Sequence, residues 1–185
     1  MSRIAVLAGV ASATIVASVA SADFSSVVWT LSDNGITTVT GSGGQQIGSS
    51  ATVLGPTSSG GSVSGSPTTM IVTGGNSEVN GLTWFNTVAT ASYSVSVDWA
   101  FTTTDSPQYD AGGWVLNGVF TKLAGAAGSG TVTFSVNPGD VYGFGTATSD
   151  GLFGSATTTF TNFVPAPGAF GLLAMAGIVG SRRRR

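Results

Sequence analysis

Alternation of apolar and polar residues at a period of two is the dominant pattern along this chain. The clearest example runs from Tyr93 to Thr102 and reads YSVSVDWAFT, with an apolar residue at every odd-numbered position. Because alternate side chains of an extended strand leave on opposite faces, this segment predicts a half-buried β-strand. No segment between the two termini carries a convincing helical stripe with a period of 3.6 residues.

Shorter runs of the same kind predict further strands separated by turn residues. Asp33-Asn34-Gly35 predicts a tight hairpin because Asn-Gly tolerates positive φ, and Asn137 to Asp140 predicts a turn built on Pro-Gly. The expected strands lie at Ser26–Leu31, Ile36–Thr40, near Ala51–Leu54 and Met70–Thr73, from Leu82, at Tyr93–Thr102, Trp114–Phe120, Val132–Val136, Val141–Thr148 and Ser155–Phe163.

Nine or ten short strands with Gly, Pro and Asn turns predict an all-β fold, an antiparallel β-sandwich of jelly-roll or CUB-like type. Residues 41–69 form a low-complexity stretch rich in Gly, Ser and Thr within it. That stretch has two interpretations. It is either a flexible or O-glycosylated stalk or a set of long turns between edge strands, and we favour the turns.

The N-terminus has the layout of a secretory signal peptide. Arg3 supplies a positive start, and an apolar helical stretch follows from Ile4 to Val19. Ala20 and Ala22 fit the small-x-small cleavage pattern. We therefore expect signal peptidase to remove residues 1–22 and the mature chain to begin at Asp23.

The C-terminus, residues 164–185, combines a short proline motif, an apolar stretch and a basic block. Thirteen apolar residues, 168–180, reach about 20 Å as a helix, against about 30 Å for a hydrocarbon core. The basic block is expected to stay on the cytoplasmic side of a membrane. The motif is Val164, Pro165, Ala166 and Pro167, and the block is Arg182, Arg183, Arg184 and Arg185.

This tail resembles the PEP-CTERM sorting signal, with Ala166 at a position where that family usually has glutamate. The resemblance implies processing by an exosortase-type membrane protease. It also implies transient anchoring in the inner membrane through the short helix, and delivery to the outer surface or extracellular matrix. The segment from Tyr93 to Phe163 is also similar to ectodomains found ahead of such tails, and no activity follows from that.

Composition narrows the function of the remaining segment, residues 23–163, which has the length of one domain. It contains all eight acidic residues of the chain and Lys122 as its one basic residue, a formal charge of −7. Such an acidic segment argues against a nucleic-acid partner. The chain has no cysteine, so the exported fold must be stable without disulfides.

Histidine is absent as well, which removes the Ser-His-Asp and Cys-His nucleophile systems and the usual zinc ligands. A glycosidase with paired carboxylates is a remote alternative. Most of the candidates lie beside predicted turns, where aspartate commonly caps the backbone. We therefore predict that the protein is not an enzyme. The candidates are Asp98, Asp105, Asp110, Asp140 and Asp150.

Calcium is the cofactor that the same residues suit best. Asp105, Asp110 and the nearby carbonyls offer hard oxygen ligands in one loop, with Asp98 and Asp150 joining if the loops meet. Turn capping by these aspartates is the explanation that we favour, so we expect no cofactor and keep calcium as the alternative. Tyr109, Trp114 and Tyr142 are candidates for stacking on a sugar ring, although burial in a core is the explanation that we favour for most of them.

These observations predict an exported structural or adhesive protein of the cell surface or extracellular matrix. The alternative is a calcium-assisted carbohydrate-binding module with extracellular polysaccharide as its partner.

Overall fold

The computed structural model describes residues 23–41, 44–106 and 108–167. Within them the chain is almost entirely β-strand, and its one helical element is the single 3₁₀ turn Phe24–Ser26. None of the described residues belongs to a helix long and apolar enough to cross a membrane. The predicted signal peptide and C-terminal helix lie outside the described residues.

Thirteen strands follow the 3₁₀ turn in chain order. They are β1 Thr30–Ile36, β2 Val39–Gly41, β3 Gly44–Gln46, β4 Ser50–Pro56, β5 Ser62–Ser66, β6 Thr69–Thr73, β7 Gly81–Val88, β8 Tyr93–Thr102, β9 Asp110–Leu116, β10 Val119–Ala124, β11 Gly128–Val136, β12 Val141–Thr148 and β13 Thr157–Pro167.

The strands form two antiparallel layers, which confirms the predicted all-β sandwich. One layer has the order β1-β4-β10-β9-β12-β7 and closes on itself, because β1 pairs with β4 on one side and β7 on the other. The other layer is an open sheet of order β11-β8-β13-β6-β5. The strands β2 and β3 make a small separate hairpin.

Four strands of the closed layer, β7, β9, β10 and β12, divide their apolar residues between two cores. Trp84, Val115 and Phe120 fill the inside of the closed layer, and Tyr142, Phe144 and Phe160 belong to the core between the layers. Trp84 and Phe85 show the division directly, since adjacent residues of β7 face opposite sides. This second core makes a closed layer possible and was not expected from the sequence.

The predicted strand at Tyr93–Thr102 is confirmed with the same bounds, and the predicted hairpin at Asp33-Asn34-Gly35 is wrong. Those three residues lie inside β1, where a pairing irregularity falls between Asn34 and Ile36. Asn34 instead accepts a hydrogen bond from Trp84 Nε1 at 2.8 Å. A partner fifty residues away therefore keeps this segment extended.

The continuous strand expected at 114–120 is also wrong. Asn117 and Gly118 have φ of 49° and 79°, and they form the hairpin turn between β9 and β10. The turn places Val115 opposite Phe120 on one face of the ladder. This is the conformation that an Asn-Gly dipeptide favours.

The low-complexity stretch 41–69 contributes strands rather than a stalk. β4 is a member of the closed layer, paired with β1 and β10, and β5 is an edge strand of the open sheet. Our favoured interpretation, long turns between edge strands, is correct for β5. It is wrong for β4, which has a partner strand on each side.

The outer face of the open sheet is rich in hydroxyl groups because Ser and Thr occupy alternate positions on adjacent strands. In one row across the sheet, Thr131, Asp98 and Thr161 lie opposite one another, and in the next, Ser129, Ala100 and Thr159. The inward positions of the same strands carry core residues such as Val97 and Phe160.

Candidate functional site

The candidate binding surface is an open apolar groove of about 390 Å³, here called the aromatic cleft. It lies between the N-terminal segment, strand β7 and the β5–β6 hairpin. Its lining side chains carry no charge. The lining residues are Phe24, Ser25, Trp29, Val63, Ser64, Gly65, Ser66, Pro67, Thr69, Met70 and Phe85.

Trp29 is the central aromatic residue of the cleft, and its position is fixed on two sides. Its indole Nε1 donates a hydrogen bond to the carbonyl of Phe24 at 2.7 Å. Its ring is nearly parallel to that of Phe85, with an angle of 8° and a centroid distance of 6.2 Å. Both rings are partly exposed, so an aromatic surface with a fixed orientation faces the cleft.

The N-terminal segment is tied to the opposite wall of the cleft. The backbone N–H of Phe24 donates to the carbonyl of Pro67 at 2.7 Å, in the turn between β5 and β6. The Phe24 ring is buried and stacks on Phe163 at 5.0 Å. Asp23, the expected first residue of the mature chain, caps the adjacent turn by accepting from the Ser25 N–H at 3.0 Å.

The chemistry of the cleft suits a neutral ligand with one apolar face and several hydroxyl groups. Partly exposed rings of Trp29 and Phe85 offer dispersion contact to such a face. The hydroxyls of Ser64, Ser66 and Thr69 at the rim supply hydrogen-bond donors and acceptors. Its volume is within the range of small-ligand sites, about 300–1,000 Å³.

The predicted calcium residues lie elsewhere, where two loops meet at one end of β9 and β12. Thr104 Oγ1 donates to the Phe153 carbonyl at 3.0 Å, and the Ser149 N–H donates to the Tyr109 carbonyl at 2.8 Å. Asp105 and Asp110 each have one buried carboxylate oxygen without a hydrogen-bond partner, Oδ2 and Oδ1 respectively.

Asp110 is nearly fully buried, and burial raises its pKa to about 6. Hydrogen bonds from Thr103 and Thr148 oppose this rise, and the negative charges of Asp105 and Asp150 add to it. Asp150 therefore does come close enough to influence Asp110, as the sequence suggested. No group of three or more Asp, Glu, His or Cys side chains arranged to hold a metal is present among the described residues.

Two other aspartates are bound into surface networks away from that loop. Asp98 lies on the outer face of the open sheet, where hydrogen bonds from Asn162 at 2.8 Å and Thr131 at 2.5 Å lower its pKa. Hydrogen bonds from Asn117 and the Asn137 N–H lower the pKa of Asp140, which caps the turn before β12.

The predicted stacking residues do not form one surface. Tyr142 is fully buried, its hydroxyl is 3.1 Å from that of Tyr93, and burial raises its pKa. It therefore belongs to the core and has no ring face for a ligand. Trp114 is stacked on Phe134 at 4.2 Å within the same core, and Tyr109 lies at the opposite end of β9.

The sorting motif lies within the fold. Val164, Pro165, Ala166 and Pro167 form the end of β13 and pair with β8, from Val164 opposite Ser96 to Pro167 opposite Tyr93. The sheet therefore continues past the predicted domain end at Phe163. Ala20, Ala22 and the block Arg182, Arg183, Arg184 and Arg185 lie outside the described residues.

Sequence reasoning did not select the cleft residues. Trp29 lies in a weakly alternating segment shortly after the expected cleavage site. Phe85 follows Trp84 in a predicted strand, where the pattern indicates a buried residue and not a binding residue. The adjacent aromatic pair Trp84-Phe85 was the available signal, because neighbouring strand residues face opposite sides and each side then needs its own partner.

Comparisons with known proteins assign no family. No family model matches the sequence, and no curated protein matches it. Among solved structures, a family 35 carbohydrate binding module from Clostridium thermocellum has a TM-score of 0.34 and 14% identity, covering 72% of this chain and 92% of that one.

Two further structures are similar at the same level. The GH26-CBM35 β-(1,4)-mannanase of Podospora anserina has a TM-score of 0.33 and 17% identity over 79% of this chain and 28% of that one. CBM35 from Cellvibrio japonicus Abf62 has a TM-score of 0.30 and 15% identity, covering 76% and 99%. Similarity this low assigns no ligand to the chain.

Proposed function

We propose that this protein is an exported β-sandwich that binds polysaccharide outside the cell through the aromatic cleft. The observation that carries the proposal is the pair of parallel, partly exposed rings of Trp29 and Phe85 in an uncharged groove rimmed by hydroxyls. A pyranose ring has an apolar face and equatorial hydroxyls, so it matches both features. The proposal is one of binding without catalysis.

Trp29→Ala tests the cleft directly. Loss of the indole removes the stacking surface, which contributes about 0.5–1.5 kcal/mol, so affinity should fall about 2- to 13-fold. Binding of the purified chain to immobilised neutral and acidic polysaccharides measures the effect. A melting curve of each variant separates lost binding from lost folding, because Trp29 also contacts Phe144 and Phe163 in the core.

Phe153→Ala is the matched comparison. Phe153 is 75% exposed and lies in the acidic loop region, away from the cleft. The proposal expects this variant to bind like the parent chain. Binding that depends on Phe153 and not on Trp29, or no binding to any polysaccharide class, would overturn it.

Calcium binding at Asp105 and Asp110 stays a separate prediction, and it is favoured by their two unpartnered buried carboxylate oxygens. Such oxygens are costly to bury unless a proton or a cation satisfies them. We expect calcium to raise the melting temperature at pH 8 relative to a chelator. Equal melting temperatures under the two conditions would exclude the site.

An adhesive or matrix role is compatible with polysaccharide binding, because a surface protein that binds polysaccharide links the cell surface to the matrix. Delivery through the signal peptide and the sorting tail remains part of the proposal, with signal peptidase and an exosortase-type protease as processing partners.

A further inference from the structure

Strand β11 forms one edge of the open sheet. It is longer than β5, the strand at the other edge, and its pairing is regular. It pairs with β8 through nine consecutive residues, from Gly128 opposite Phe101 to Val136 opposite Tyr93, with no irregularity. Within the described part of the chain it has no partner on its other side. The opposite edge, β5, has only five residues.

An edge strand presents unpaired N–H and C=O groups and is a template for another strand. Proteins usually protect such edges with lysine, proline, bulges or short length. The sequence of β11, GSGTVTFSV, contains neither a charged residue nor a proline, and its regular pairing leaves no bulge. Its residues from Gly128 to Thr131 are all exposed.

The sequence of β11 is complementary to itself when two copies pair antiparallel about Val132. On the outer face, Thr131 then lies opposite Thr133 and Ser129 opposite Ser135. Hydroxyl residues directly opposite each other are favourable cross-strand pairs. This register alone uses all nine residues of both strands.

The inner face is complementary in the same register. Gly130 lies opposite Phe134, Gly128 opposite Val136, and Val132 opposite its own copy. Each glycine therefore faces a large apolar residue that covers its exposed backbone. Shifts by two residues keep the faces matched but leave strand ends unpaired, and a shift by one would place outer residues against inner ones.

We propose that β11 pairs with β11 of a second copy of this chain, forming a two-fold symmetric dimer with a continuous ten-stranded sheet. A two-fold interface closes, so association stops at the dimer. The strand order then places the β5–β6 hairpins, and with them the two aromatic clefts, at opposite ends of the sheet. The consequence that the dimer binds polysaccharide at two points rests on the proposed function, whereas dimerisation does not.

Electrostatics opposes this dimer and offers a diagnostic. Each copy carries a formal charge of −7 over residues 23–163, and Asp98 lies on the strand next to the edge. Salt screens repulsion between exposed charges beyond about 10 Å at 0.1 M. Association should therefore strengthen as ionic strength rises.

Sedimentation of the full chain over a range of concentrations tests the association. We expect a monomer–dimer equilibrium that Thr133→Glu shifts to monomer, since it places a new charge beside Thr131 and Asp98 of the second copy. Ser64→Glu makes the same charge change on the β5 edge and should leave the dimer intact. A monomer at every concentration, or association that Thr133→Glu does not weaken, would overturn the proposal.

Single cysteines test the register, because the chain has no cysteine of its own. In the proposed register residue 132 faces residue 132 of the other copy, within the Cα separation of about 4.4–6.8 Å that a disulfide needs. Val132→Cys should form disulfide-linked dimers under mild oxidation, and Ser135→Cys should not, because it faces position 129. Equal cross-linking of both variants would contradict the register. Neither assay contains polysaccharide, so both outcomes are independent of the proposed function.

Discussion

Single residues in this molecule stabilise the fold through contacts with residues that are distant in sequence. Gly113 is a clear case: a Cβ at this position would lie 2.3 Å from Cζ of Phe120, so the glycine leaves room for that ring inside the closed layer. Thr146 and Thr158 join the two layers by a hydrogen bond of 2.7 Å between their buried hydroxyls. Composition alone shows many glycines and threonines but not which of them are essential.

Asp110 makes stability depend on pH. Its folded pKa of about 6 lies above the ordinary value of 3.8, so the folded state binds the proton more tightly than the unfolded state. The stability from this group is therefore fully present below about pH 4 and is lost as pH rises through 6. Asp98 and Asp140 act in the opposite sense, because their lowered pKa values favour the folded state above the ordinary value and this contribution is lost in acid.

Asp110→Asn tests this assignment. An amide stays neutral at all these pH values, so the variant should lose most of the decrease in melting temperature that the parent chain shows between pH 5 and pH 8. Thermal unfolding followed by circular dichroism at a series of pH values, with a chelator present, measures it. A parent chain whose stability does not fall over this range, or a variant with the same fall, would contradict the role of Asp110.

At the scale of strands and turns, the same dipeptide has two outcomes in this chain. Asn117-Gly118 forms a tight hairpin with both residues at positive φ, whereas Asn34-Gly35 lies in a strand. The local signal is equal, and the difference comes from long-range hydrogen bonds. Asn34 is held by Trp84 Nε1 and by the carbonyl of Leu54, while Asn117 bonds to Asp140 and Val141 beside its own turn.

Gly118→Ala isolates the contribution of the turn conformation. The φ of 79° is unfavourable for a side chain although nothing lies within 4 Å of the new Cβ. The expected loss is about 1 kcal/mol, or about 3 °C in melting temperature. Gly55→Ala is the matched control, because Gly55 also has open space but no positive φ. Similar melting temperatures for the two variants would show that strain at the turn is not important.

Strands with a regular alternation of apolar and polar residues could be predicted from the sequence. Strands and turns that depend on distant pairing partners could not. Residues 93–102 alternate so regularly that one face must be buried, and the structure confirms that strand. β4, in contrast, lies in a Gly/Ser/Thr-rich stretch whose own pattern is weak. It is a strand because β1 and β10 both pair with it.

At the scale of the whole molecule, the folded domain and the predicted sorting tail overlap. The proline motif is the end of β13 and pairs with β8, so a protease acting within Val164–Pro167 would meet backbone already engaged in a sheet. Cleavage after the motif would leave the sheet unchanged. If the tail is processed as the resemblance implies, this pairing favours cleavage on the C-terminal side of Pro167.

Replacing Arg182 to Arg185 with serine tests the tail as a whole. Without the basic block, we expect processing to fail and the protein to be lost from the cell surface, because the orientation of the apolar stretch is no longer set. Cell fractionation and mass spectrometry of the recovered chain follow both effects. Normal surface display of an unprocessed or normally processed variant would refute the sorting role.

The sequence by itself determined the fold class, because period-two alternation commits strands locally, and it determined the acidic, disulfide-free character of the domain. Tertiary structure alone decided the closure of one layer, the place of Asn34, the burial of Tyr142 and the meeting of Trp29 with Phe85. The physical reason is that alternation specifies which residues share a face of a strand, whereas pairing partners and the second core depend on contacts between segments that are tens of residues apart.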